Sequence, residues 1–250
     1  MGVSSSWQPA AHPPVLTTGD VHVWRIALEI GDALLTRLRE FLADDERRRA
    51  ERFHFEKDRR HFIAGRSALR ILLAGYLACR PEDVRFTYSS YGKPQLANQA
   101  SDLRFNLTHS HGLALLAVTR GRDIGVDVER VRDMERDGER LAERFFSPRE
   151  AAVLRSLPPE QRREAFFSCW TRKEAYIKAN GKGLSLPLDQ FDVSLRPGEP
   201  AALLATRHDP QEVRRWSMQS LLPAEGYVGA LAVEGHSWRL WCGDWIAEAG

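Results

Sequence analysis

Cysteine is scarce in this chain of 250 residues: Cys79, Cys169 and Cys242 lie far apart and form no Cys-x-x-Cys pair. That spacing argues against a disulfide framework or a cysteine zinc site, and it suits a reducing cytoplasm. Net charge is nearly absent too, at +2, so wholesale attraction to nucleic acid or to an anionic membrane is not indicated. No apolar stretch approaches the roughly 20 residues needed to span a bilayer. The opening MGVSSSWQPAAHPPVLTTGD lacks the basic start and continuous apolar core of a signal peptide. It formally fits the short Met-Gly-x-x-x-Ser myristoylation pattern, but the expectation for residues 1–18 is a disordered leader. A Walker loop is missing as well, so nothing in the chain would cradle a triphosphate in that way.

What is present is ordinary globular composition, 43% hydrophobic and 28% charged, enough for one large domain or two small ones. The charge is uneven: Arg47 to Arg70 holds nine basic and three acidic residues. Such a run is a solvated helix face, unless it folds over a pocket for a multiply charged anion. VHVWRIALEI reads as a strand, and Asp32 opens a helical pattern through Phe53. A second helix over 59–79 closes before Pro81. A strand then leads to a turn at Gly92-Lys93-Pro94, and residues 103–131 supply two or three strands. Helices return at 133–156 and 161–180, and the C-terminus is strand-like. LALLAV (113–118) and VGALAV (228–233) echo one another, each preceded by a helix and a Phe-bearing strand at Phe86 or Phe191. The expected fold is α+β, with lobes at 19–122 and 123–250 packed around a pseudo-two-fold axis and a ligand cleft between them.

The chemistry concentrates in three segments. In DIGVDVERV, strand alternation turns Val126 and Val128 to the core and places Asp127 and Glu129 on the opposite face, Cα atoms roughly 6.6–6.8 Å apart. Carboxylates that close repel unless a cation sits between them. Mg²⁺ takes one or two carboxylates, keeps waters and accepts phosphate oxygens. A solvated strand edge is the plain alternative. In CWTRKEAYIKANGKGLSLPL, Trp170, Glu174 and Lys178 fall close to one helical stripe, although a Glu four residues before a Lys is also an ordinary surface pair. In FNLTHSHG, Asn106 and Thr108 could bond locally, and His109 and His111 alternate without a further ligand at zinc spacing.

Taken together, these residues resemble the large, pseudo-dimeric 4′-phosphopantetheinyl transferases, the subclass that activates nonribosomal peptide and polyketide synthases. YGKP (91–94), FNLTHS (105–110), GVDVE (125–129) and FFSPRE with WTRKEAYIK (145–178) match that pattern in order. The resemblance implies transfer of 4′-phosphopantetheine from coenzyme A to a serine of an acyl, peptidyl or aryl carrier protein, with Mg²⁺ as cofactor and 3′,5′-ADP released. It implies Asp127, Glu129 and Glu174 as metal ligands, with Glu174 also drawing the serine proton directly or through water. Lys178 would contact the pyrophosphate and assist the leaving group, and Thr108 and His109 would lie beside the phosphates. Gly92, Lys93 and Pro94 would form a loop near the adenine, and Arg49, Arg60 and Arg66 are candidates for the 3′-phosphate. Leu184, Leu186 and Leu188 beside Lys182 could form a docking edge for a carrier or belong to the core. A monomer suffices if two lobes already complete the cleft. The rivals are a Mg²⁺-dependent nucleotide hydrolase or nucleotidyl transferase using the same acids, and a non-catalytic module that docks carrier proteins.

Overall fold

The computed structural model describes residues 6–98, 101–133, 137–181 and 183–247. The first part of the chain runs β1 (Gln8–Ala10), β2 (Asp20–Ala27), α1 (Asp32–Arg39), α2 (Asp44–Ala50) and α3 (Glu56–Leu77). It continues through β3 (Phe86–Tyr88), β4 (Pro94–Leu96), β5 (Leu103–Ser110) and β6 (Leu113–Arg120). The second part runs β7 (Ile124–Arg130), α4 (Asp137–Phe145), α5 (Pro148–Ser156), α6 (Pro159–Asn180), β8 (Phe191–Val193) and β9 (Leu203–Thr206). It ends with α7 (Glu212–Arg215), β10 (Trp216–Leu221), β11 (Tyr227–Glu234) and β12 (Arg239–Trp245).

The same plan occurs twice. In each lobe a strand leads to a helix of 22 residues, then a short strand opening on Phe86 or Phe191, then an antiparallel hairpin. The second arm of that hairpin pairs antiparallel with the lobe's first strand, β6 on β2 and β11 on β7. The sheet orders are β1-β12-β2-β6-β5 and β10-β11-β7. Alternation explains how each sheet is buried on both faces. Trp24 and Ile26 of β2 face α3, whereas Val21 and Val23 join Leu115, Val126, Val128 and Leu231 in a core shared by the two sheets. Ala230 and Ala232 of β11 face α6. The lobes thus pack sheet to sheet, each with its long helix outside, as a two-lobed α+β fold with a pseudo-two-fold relation.

The strands LALLAV and VGALAV occupy equivalent places, but not letter for letter. Leu116 faces α3 while Leu231 faces the shared core, so the structural equivalence slips by one residue, which in a strand exchanges the faces. The single helix expected from Asp32 is two, because Glu46 reaches back to the Ala43 N–H at 2.9 Å and starts α2 afresh. Part of the expected leader is ordered: β1 pairs in parallel with β12, and Leu16 is buried. Trp7 donates its indole N–H to the Leu222 carbonyl. β12 itself crosses back to pair with β2, so the last strand of the chain completes the first lobe's sheet. Leu186 and Leu188 are buried and serve the second core rather than a docking edge; Lys182 and the Leu184 side chain lie outside the described residues.

Candidate active site

β7 is an edge strand of the second sheet, and its outer N–H and C=O groups need partners. β5, the edge of the first sheet, supplies them with side chains. Asn106, Thr108 and Ser110 alternate along β5 and therefore point one way. Asn106 Oδ1 accepts from the Val126 N–H at 2.9 Å, and the Thr108 hydroxyl donates to Asp127 Oδ1 at 3.0 Å. Ser110 donates to Glu129 Oε2 at 2.8 Å and accepts from the Arg130 N–H at 3.2 Å. This polar ladder holds both β7 acids at the seam between the lobes.

Since Val126 and Val128 fill the shared core, Asp127 and Glu129 turn toward α6, with Gly125 on the same face. A Cβ at Gly125 would sit 2.2 Å from the Ala175 carbonyl oxygen and 2.3 Å from the Ala179 nitrogen, so only glycine admits the helix this closely. The approach brings Lys178 Nζ within 2.5 Å of Asp127 Oδ1 and 3.1 Å of the Thr108 hydroxyl. Glu174 and Lys178 are half-buried, one turn apart, while Asp127 is only 4% exposed.

The electrostatics are those of a crowded acid cluster. Burial raises the Asp127 carboxyl, against the opposing pull of Lys178 and the Thr108 hydroxyl. Burial also raises Glu174, reinforced by the charge of Asp127 and, more weakly, of Glu129. Glu129 is raised by burial and by Asp127, and lowered by the Ser110 hydrogen bond. Among the described residues no three His, Cys, Asp or Glu side chains are gathered into a ready metal cage. However, Asp127 Oδ2 is buried with no hydrogen-bond partner. An orphaned carboxylate oxygen beside two more raised acids fits a hard cation that needs only one or two carboxylates and fills its remaining positions with water and phosphate oxygens.

The other expected residues are more dispersed. His109 faces the other side of β5; desolvation holds its imidazole below the ordinary value, followed by the charge of Lys178. Gly92 makes its turn at φ +79° and Lys93 Nζ donates to the Ile124 carbonyl at 3.1 Å. With Pro94, Phe105 and Asp123, Lys93 lines a cavity of about 200 Å³. A larger cavity of about 530 Å³ lies between α4, α5 and the start of α6, away from the acids. Of the arginines, Arg49 is exposed over the Phe62 ring. Arg60 is paired with Asp32 at 2.6 Å and bonded to the Ile30 carbonyl. Arg66 is bound to Glu46 and stacked 4.0 Å from the Phe86 ring centroid. Ser110 and Gly125 were not singled out by sequence reasoning. A glycine inside a strand is the one local signal that something approaches closely.

Comparison with known proteins identifies the family to which the chain is similar. The family model described as the 4′-phosphopantetheinyl transferase superfamily matches residues 123–232, and one for a 4′-phosphopantetheinyl transferase N-terminal region matches 32–120. The chain is 44% identical over 236 residues to the 4′-phosphopantetheinyl transferase HetI of Nostoc sp., covering 94% of this chain and 96% of that protein. It is 30% identical over 183 residues to the 4′-phosphopantetheinyl transferase Sfp of Bacillus subtilis, covering 73% and 80% respectively. Among solved structures, an ACPS–CoA complex of Chronobacterium ammoniagenes matches 46% of this chain and 98% of that one, at 20% identity and a TM-score of 0.35.

Proposed function

The chain belongs to the 4′-phosphopantetheinyl transferase superfamily, and from that premise we propose that it moves the 4′-phosphopantetheine of coenzyme A onto a serine hydroxyl of a carrier protein. The reaction is Mg²⁺-dependent and releases 3′,5′-ADP. The observation that carries the reading is the convergence of Asp127, Glu129, Glu174 and Lys178 at the lobe seam, with one buried carboxylate oxygen left without a partner.

Asp127, Glu129 and Glu174 would hold the cation, which when bound supplies charge to the pyrophosphate and orients it for attack. The residues of the chain do the rest. Thr108 and Lys178 fix Asp127 from two sides. Lys178, one turn from Glu174, offers an ammonium to the α-phosphate that departs with 3′,5′-ADP. Glu174 takes the serine proton, directly or through water; a carboxylate shared with a cation is a weaker base, which favours the relay. The β-phosphorus keeps its bond to the pantetheine oxygen: the serine oxygen bonds to that phosphorus as its bond to the bridging oxygen, which leaves on the α-phosphate of 3′,5′-ADP, breaks. Phosphoryl transfer of this kind depends on positioning and charge neutralisation more than on covalent participation. His109 and the Gly92–Pro94 loop flank the substrate, and Arg49, Arg60 or Arg66 receives the 3′-phosphate. With both lobes in one chain a monomer suffices, acting in the cytoplasm.

The test is incubation of several apo carrier proteins with coenzyme A and Mg²⁺, read by mass spectrometry. One serine gains a phosphopantetheine with the parent protein, and Glu174→Ala loses nearly all transfer. Full activity of that variant, or release of 3′,5′-ADP with no carrier present, would contradict the reading.

A further inference from the structure

We infer that the buried pair Lys173–Glu150 is a positioning device for the transfer reaction, fixing the rotation of α6 so that Glu174 and Lys178 face β7. The inference rests on the transferase reading and deepens it. Lys173 is completely buried, and its three ammonium protons have three acceptors: Glu150 Oε2 and the Leu188 and Phe191 carbonyls, each at 2.7 Å. The ammonium also lies 4.2 Å from the centroid of the Phe191 ring. Glu150, itself 1% exposed, accepts from the Ser147 and Val193 N–H groups at 2.8 Å. One ion pair therefore ties together the N-cap of α5, the middle of α6, the turn Leu188–Gln190 and β8.

Glu174 is the residue after Lys173, about 100° further round the helix. Whatever holds Lys173 toward α5 and β8 also sets the heading of Glu174 toward β7, and Lys178 follows one turn on. The opposite side of α6 has no slack, because Ala175 and Ala179 touch Gly125 closer than any Cβ could allow. Stability alone does not account for the pair. Well-packed apolar side chains often replace a buried ion pair without loss. Apolar side chains cannot, however, hold two carbonyls and two N–H groups in fixed directions, which is what this pair does.

The test compares the parent with Lys173→Met/Glu150→Leu and with Glu150→Gln, using thermal unfolding and transfer kinetics on a carrier protein accepted by the parent. The double variant, which leaves those two carbonyls and two N–H groups without their side-chain partners, is expected to melt below the parent, while in its folded fraction kcat falls tenfold or more and KM for coenzyme A changes less than kcat. If the double variant does not fold, Glu150→Gln, which keeps the shape and removes the charge, is expected to show the same loss of kcat in its folded fraction. A folded variant of either kind with the parent's kcat overturns the inference, and so does failure of both to fold, which would assign the pair to folding alone. Absence of transfer by the parent itself would instead count against the transferase reading.

Discussion

His22 of β2 packs its ring between Tyr76 and Trp241, with centroids 5.7 and 5.1 Å away. The Tyr76 hydroxyl accepts from the Trp24 indole at 2.8 Å and lies 2.8 Å from His22 Nδ1. Its own proton is then best given to Nδ1, which requires a neutral imidazole. Burial lowers the His22 pKa from 6.5 to about 4, opposed only in part by Asp20. Above the unfolded value the ring contributes fully. As pH falls from 6.5 toward 4, the unfolded chain binds a proton that the native state refuses, and stability drops by up to about 3 kcal/mol. Urea unfolding at pH 7 and pH 4.5 checks this: His22→Gln should lose distinctly less stability than the parent over that interval, and equal losses would rule the imidazole out. Gly125 is sharper. Gly125→Ala forces β7 and α6 apart, with an expected cost of about 1–3 kcal/mol from overpacking. Transfer should fall further than the unfolding midpoint alone accounts for, since Asp127 and Lys178 meet across that contact. Asp127 and Glu129 were legible because strand alternation is local. Gly125, Ser110 and Glu150 were not, because each matters through a group distant in sequence.

At the scale of elements, the basic run from Arg47 to Arg70 shows how far composition can be read. Part of it is not a solvated face. Arg66 and the buried Arg70 converge on Glu46, which also caps α2 through the Ala43 N–H. Glu46 is only 4% exposed, so Glu46→Ala leaves a buried guanidinium without its carboxylate. The expected loss is about 3–5 kcal/mol, read as a lower denaturant midpoint. Arg39→Ala, breaking the exposed pair with Glu51, should cost no more than about 1 kcal/mol. The long helices α3 and α6 were readable in the sequence, at 59–79 and 161–180. The break between α1 and α2 was not, because the apolar spacing continues through it and only the side-chain cap of Glu46 interrupts the helix. The β5 ladder was hidden for a related reason: Asn106 and Thr108 have the chemistry of local turn bonds, yet they bond across the seam to a strand of the other lobe.

For the whole molecule, duplication leaves the two lobes unequal. Where the second lobe sets Gly125, Asp127 and Glu129 against its long helix, the first sets His22, Trp24 and Ile26 against α3, so the acidic site exists once. The first lobe also cannot finish its sheet from its own segment of chain. β12 pairs in parallel along β2 from Asp20 to Arg25, and β1 in turn pairs with β12. Arg25 grips Asp244 through two nitrogens at 2.9 and 2.8 Å, and Arg239 reaches Asp20. Trp245 joins the first core while Cys242 enters the core shared by the lobes. Removing β12 uncovers the full edge of β2 and part of both cores at once. A fragment of residues 1–122 is therefore expected to lack a cooperative unfolding transition, although it contains α3 and four strands of its own lobe's plan. A peptide of residues 237–247 supplied in trans should restore part of that transition, because the register on β2 and the Arg25–Asp244 pair specify where it adds. Cooperative unfolding of the bare fragment, by circular dichroism in urea, would mean that β12 merely decorates a lobe already able to stand alone.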